Sequence, residues 1–152
     1  MSQAIPPNPG VPRAFWGEHR CPLDAEGRLS LPEDFLGKGE FVLTKGLDGC
    51  LMLAPQAFFA SLSQKVRELP FTRRSVRAFR RHLYASATPV TSDSHNRIII
   101  PENLRAYAGL TETAVVVGND AYLEIWNEQA WEEMTQTIER MVQEEGWQLE
   151  GI

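Results

Sequence analysis

Part of this chain is written twice, and that limits its fold more than any other feature. The segment LDAEGRLSLPEDF, 23–35, and the segment SDSHNRIIIPENL, 92–104, share Asp24/Asp93, Arg28/Arg97, Pro32/Pro101 and Glu33/Glu102 at one interval (93 − 24 = 69). The fold is therefore sought as one supersecondary unit used twice. Within each unit, Gly27 in one copy and Asn96 in the other occupy the same place in a turn. Glycine and asparagine are the residues that best tolerate the left-handed backbone, so both turns call for it. RLSLP and RIIIP then read as short strands that end at a proline, which has no N–H to give a ladder.

Beyond each strand the two copies keep the same order. PEDFLG and PENLRAYAG predict a brief helix or turn ending at glycine. GEFVLTKGLDGCLML and ETAVVVGNDAYLEIW predict hairpins about Gly/Asp/Asn turns. A long helix follows in each: Pro55 opens the first, with Phe58, Leu62, Val66 and Leu69 as its apolar stripe. Asn127 caps the second, with Trp131, Met134, Ile138 and Met141. The first copy is followed by a further helix, capped by Thr72, with Val76, Phe79 and Leu83 on one side and arginines mainly on the other. The expected organisation is a flexible proline-rich arm at 1–13, a first half at 14–69, a basic helix and connection at 70–91, a second half at 92–142 and a tail at 143–152.

Net charge is −5, from 15 basic and 20 acidic residues, and by itself that disfavours a nucleic-acid partner. The distribution restores the possibility. Arg73, Arg74, Arg77, Arg80 and Arg81 lie in a stretch from 70 to 92 that has no acidic residue, while much of the acid lies near the carboxyl end. Local fields decide what a surface attracts. Cys21 and Cys50 have no CxxC spacing and read as packed thiols. His19, His82 and His95 lack metal-ligand spacing and read as surface side chains. No apolar run is long enough for a membrane span, and the first residues do not follow signal-peptide order, so a cytosolic home is expected. None of the nucleotide, hydrolase or metalloprotease motifs occurs, so no enzyme, catalytic residue, metal or cofactor is expected.

FWGEHRCPLDAEGRLSLP, DSHNRIIIPENLRAYAGL and VVVGNDAYLEIWNEQAW together resemble the MraZ family, over about residues 15–138, with two Asp-x-x-x-Arg motifs as its mark. The resemblance implies a mainly β protein with α: a duplicated swapped-hairpin β-barrel of the AbrB type, with helices packed outside. It also implies a ring-shaped homo-oligomer that binds short direct repeats in double-stranded promoter DNA. Such a protein regulates the bacterial division and cell-wall gene cluster, in the cytoplasm and on the nucleoid.

The DNA-contacting arginines implied are Arg28 and Arg97, with Asp24, Gly27, Asp93 and Asn96 shaping their turns. A guanidinium fork suits phosphate or a guanine edge. It equally suits a bridge to the motif aspartate that does no more than staple the turn, and both readings stand. Arg13 and Arg20 are further phosphate contacts. The cluster Arg73, Arg74, Arg77, Arg80 and Arg81 reads first as pairing with carboxylates across helices or subunits, and second as a DNA patch. Glu26, where the family commonly carries lysine, keeps an alternative open: an oligomeric protein-interaction module or scaffold of this fold, with weak or lost DNA binding. An antitoxin-like module is a further form of it, with the last helix holding a protein partner.

Overall fold

The computed structural model describes residues 14–33, 35 and 39–151. The arm at 1–13, and Arg13 with it, lies outside the described residues. Among the described residues eight strands run β1 (Glu18–Pro22), β2 (Arg28–Ser30), β3 (Phe41–Lys45), β4 (Leu51–Pro55), β5 (Thr88–Val90), β6 (Arg97–Ile99), β7 (Thr113–Asn119) and β8 (Tyr122–Asn127). The helices are α1 (Gln56–Arg67), α2 (Arg74–Tyr84), α3 (Glu102–Ala108) and α4 (Glu128–Glu144). None of them is long and apolar enough to cross a membrane.

Both predicted hairpins form, as β3–β4 and β7–β8, and their turns place Asp48 and Asp120 at positive φ. The pairing between copies is less local. Strand β1, ahead of the first motif, adds to β7, and β5, ahead of the second, adds to β3. Each hairpin thus takes its outer strand from the other copy. The result is a six-stranded antiparallel sheet in the order β1-β7-β8-β4-β3-β5, and a separate ribbon of β2 paired with β6. Among the described residues hydrogen bonding does not close the sheet, whose ends are β1 and β5.

Alternation along the strands sorts the side chains onto two faces. Leu51 and Leu53 of β4, Ala114 and Val116 of β7, and Leu123 and Ile125 of β8 join Leu29, Ile98, Ile100 and Leu104 in the main core, beneath the ribbon and α3. On the other face Met52 and Ala54 pack with Val66 of α1 and Leu83 of α2, and Val115 and Trp126 pack with Trp131 and Met134 of α4. Leu29 and Ile98 are paired across the ribbon and essentially unexposed. Full burial of a side chain of that size contributes about 1.5–3 kcal/mol. The core therefore holds the ribbon down, and its outer face is left for other work.

Helix starts follow the sequence in part. Pro55 occupies the cap of α1, and Asn127 caps α4 by accepting from Gln129 N and Ala130 N. Thr72 does not cap α2. Arg73 N donates to Pro70 O at 3.1 Å, which tightens the preceding turn and makes Arg73 the cap, without a side-chain bond. Leu69 is exposed because α1 stops at Arg67. The brief helix after the second strand is α3, ended by Gly109 at φ 65°. In the first copy Phe35 N donates to Pro32 O, a turn matching the bond from Leu104 N to Pro101 O.

Both cysteines are buried and free, and burial pushes the Cys21 thiol up to about 11. Of the histidines only His95 is exposed. His82 is half-buried with Nε2 2.6 Å from Gly46 O, and His19 is half-buried edge-on to the Phe35 ring.

Candidate nucleic-acid interface

The two Asp-x-x-x-Arg motifs fold into the same clamp. In the first, Asp24 Oδ1 accepts from Glu26 N and Arg28 N at 3.0 and 2.8 Å, and Oδ2 accepts from Arg28 Nε at 2.7 Å. In the second, Asp93 Oδ1 accepts from His95 N and Arg97 N, each at 2.9 Å, and Oδ2 accepts from Arg97 Nε at 2.9 Å. An aspartate suits this place because its short carboxylate can fold back onto the backbone of its own turn. The turn also needs a residue at positive φ, met by Gly27 at 84° and Asn96 at 59°.

These bonds fix the electrostatics. The backbone N–H of Arg28, then its guanidinium, hold the Asp24 carboxyl below the usual carboxylate range, and the backbone N–H of Arg97 leads the same effect on Asp93. Asp24 in turn raises the Arg28 pKa further. Each arginine is thus oriented through Nε, which leaves the terminal Nη edge of the fork for a second partner. Arg28 Nη2 has one already, Glu26 Oε2 at 3.3 Å. Arg97 has no second carboxylate among the described residues.

The clamps are joined by a reciprocal exchange that no local pattern announces. Ile100 N donates to Gly27 O at 2.8 Å, and Leu31 N donates to Asn96 O at 3.0 Å, the same bond made once in each direction. Asn96 Nδ2 also donates to Leu31 O and Pro32 O. Between the clamps, Arg28 stands opposite Ile99 and Arg97 opposite Ser30. Residues opposite one another share a face. With Leu29 and Ile98 turned inward, the outer face of the ribbon presents both arginines diagonally, with Ser30 and the exposed Ile99 beside them.

The other candidates are not gathered here. Arg20, on β1, is exposed and 3.9 Å from Glu18, whose other oxygen accepts from Trp131 Nε1, so it lies beside the first turns of α4. On α2, Arg77 Nη1 donates to Phe71 O and Thr72 O, and Arg80 lies over the Tyr84 ring. Among the described residues no carboxylate is within ion-pair distance of Arg73, Arg74, Arg77, Arg80 or Arg81, so the expected pairing across helices is not made within the chain. Sequence reasoning missed Arg105. Its Nε donates to Ile100 O at 2.9 Å, and its guanidinium lies where a Cβ on Gly27 would come within 3.0 Å. Only its place in α3, one turn past the second motif, could have drawn notice.

Residues 14–82 and 83–147 each match the family model described as "MraZ protein, putative antitoxin-like". A protein of Pelotomaculum thermopropionicum named transcriptional regulator MraZ is 47% identical over 120 residues, which cover 78% of this chain and 83% of that one. Its namesake in Moorella thermoacetica is 46% identical over 122 residues, 78% of this chain and 85% of its own. That of Syntrophomonas wolfei is 36% identical over 132 residues, 86% and 92% of the two chains.

Proposed function

This chain belongs to the MraZ family, and from that premise we propose that it is a DNA-binding transcriptional regulator whose reading surface is the outer face of the β2–β6 ribbon. The family is one of regulators, not enzymes. One observation carries the reading: the cross-copy ribbon sets two clamped arginines diagonally across one outward-facing surface. A two-stranded ribbon is one of the shapes the major groove admits, and a guanidinium held by Nε presents its remaining donors to a phosphate or a guanine edge. Asp24 and Asp93 aim the arginines, while Gly27 and Asn96 give the turns their shape. Arg13 and Arg20 are outlying phosphate contacts.

The finer reading rests on the family resemblance. The strand exchange is the one-chain form of a swapped-hairpin barrel. Copies assemble as a ring in the cytoplasm, on the nucleoid. The ring engages short direct repeats in the promoter of the division and cell-wall gene cluster. A ring is physically apt because one ribbon per subunit makes a small contact, and neighbouring ribbons on one duplex bind almost intramolecularly once the first is engaged.

The test is binding of the wild type and of Arg28→Ala and Arg97→Ala to the DNA upstream of the gene, at several salt concentrations. Specific binding that falls with salt in the wild type and is lost in the variants, with assembly unchanged, is expected. Equal affinity for random DNA sinks the proposal. A second reading is favoured by Glu26, which occupies Arg28 Nη2 and lowers the charge of the first clamp. In that reading the chain is an oligomeric interaction module or scaffold with weak or lost DNA binding. Glu26→Lys separates the two: a DNA binder gains affinity, and a scaffold is indifferent.

A further inference from the structure

We propose that the groove between α1, α2 and α4 is a binding site for a small organic cation, an amine with an apolar body whose charge is received by Glu124. The site lies on the face of the sheet away from the ribbon and does not depend on what the ribbon binds.

Successive residues on one face of a strand stand about 7 Å apart. On β8 those facing the helices are Tyr122, Glu124 and Trp126, since Leu123 and Ile125 point into the main core. Tyr122 belongs to the apolar cluster under α1 and α2, and Trp126 to the one under α4, so Glu124 stands on the floor between them. Each flanking aromatic is extended by a partner from a helix. Phe58 stacks on Tyr122 with ring centroids 5.2 Å apart, and the Trp131 ring lies 5.4 Å from that of Trp126. With Phe79 of α2 these side chains line a cavity of about 570 Å³. Small ligands are held in cavities of roughly 300–1,000 Å³.

The floor carries a charge that its neighbours do not neutralise. Glu124 Oε1 accepts from Trp126 Nε1 at 3.3 Å, and Oε2 accepts from Cys50 Sγ at 3.6 Å, both uncharged donors. Among the described residues no lysine, arginine or histidine is within ion-pair distance of it. Lys45 reaches the margin of the cavity, but Thr44 takes the helix side of β3, and the Lys45 ammonium lies 4.8 Å from the centroid of the Tyr107 ring. Burial raises the Glu124 carboxyl pKa, the bonds from Trp126 and Cys50 act against that, and Asp48, exposed at the rim, raises it further. A cation seated beside the carboxylate would favour its charged form.

The fold itself does not ask for this acid. The two hairpins turn at Asp48 and Asp120, 72 residues apart (120 − 48 = 72), so Glu124 corresponds to Met52, which also stands opposite it in the sheet. Met52 is buried among apolar groups. A second methionine would pack in the same way, whereas a partly buried carboxylate is costly until a charge meets it. Aromatic walls attract a cation through their ring quadrupoles, and the groove between them shelters its apolar body. An anion of the same shape meets repulsion at the floor, and a neutral molecule has only the walls.

The experiment follows the tryptophan indole N–H signals of the full chain by ¹H–¹⁵N NMR during titration with hexylammonium, hexanol and hexanoate, which differ only in the head group. The Trp126 N–H is bonded to Glu124 and reports on the carboxylate, and Trp131 reports on the wall. Trp16 and Trp147, 74% and 56% exposed, report on attraction to the surface at large. Hexylammonium should shift Trp126 and Trp131 to saturation, with Trp16 and Trp147 unmoved, at a concentration about tenfold or more below that needed for hexanol. Hexanoate should not saturate. In Glu124→Gln, which keeps an acceptor for Trp126, hexylammonium should bind no better than hexanol. Equal affinity of the wild type for hexylammonium and hexanol would overturn the cation site, and so would a common shift of all four indoles. A preference for ammonium that survives in Glu124→Gln would overturn the role of Glu124. The comparison of head groups uses the wild type alone, so it decides even where Glu124→Gln fails to fold.

Discussion

Both oxygens of Asp24 act on a single turn, and the order of their effects makes a prediction. The hydrogen bond from the backbone N–H of Arg28 is the largest single influence lowering the carboxyl pKa, and the guanidinium adds to it by its own hydrogen bond and its charge. Arg28→Ala keeps the former and deletes the latter. In a carboxyl ¹³C NMR titration, Asp24 in the wild type should therefore titrate below the usual carboxylate midpoint of about 3.9. In Arg28→Ala it should move up without reaching that value, and an unmoved midpoint would show that the guanidinium bond is not made in solution. The sign for stability follows from the depressed pKa. The clamp contributes fully above the unfolded carboxyl's pKa, and its contribution is lost as pH falls through the lower folded value. Neutral pH changes should leave the turn alone. The same holds for Asp93, where His95 N shares Oδ1 with Arg97 N.

At the level of elements, what the sequence discloses is what neighbours along the chain decide. Gly27 and Asn96 revealed the backbone shape of both turns, because only a few residue types take positive φ readily. The hairpins and the cap of α4 were legible for the same reason: each is settled within a few residues. Thr72 misled because an equally local competitor, the turn from Pro70 to Arg73, delays α2 by a residue. The pairing of β2 with β6 was not legible at all, since two short strands with similar apolar patterns say nothing of which partner they take. The repeat showed two equivalent motifs, and nothing in it placed them on one ribbon.

Asn127 shows how an element's end can serve two elements. Its Oδ1 caps α4, and its Nδ2 donates to Gly109 O at 2.6 Å, where α3 has just ended. Asn127→Ala should cost about 1–2 kcal/mol, the upper part of the range for a lost N-cap. Asn127→Asp, which keeps the cap and loses the donor, should recover most of it. Urea unfolding of the three proteins measures this, and equal loss in both variants would place the energy in the tie to α3 instead.

At the scale of the molecule, the exchange of outer strands makes the two copies one folding unit. Residues 14–82 alone would keep the β3–β4 hairpin but lose β7 as partner for β1 and β6 as partner for β2. Leu29 and Leu31 would then be uncovered, together with the unpaired edge of each strand. Such a fragment should have little cooperative structure as a monomer. Two copies of it, however, can offer each other what the full chain offers itself, since the second half supplies the same unit. Structure should therefore appear as concentration rises and dimers form. A mixture with residues 83–147 should fold at lower concentration still, because the buried faces of these two evolved as partners. Circular dichroism and sedimentation over one concentration series test both statements. A monomeric 14–82 with a sharp unfolding transition would mean that each half closes on itself. The ribbon, and with it the pairing of the two arginines, would then be a late docking of finished halves and not the condition of their folding.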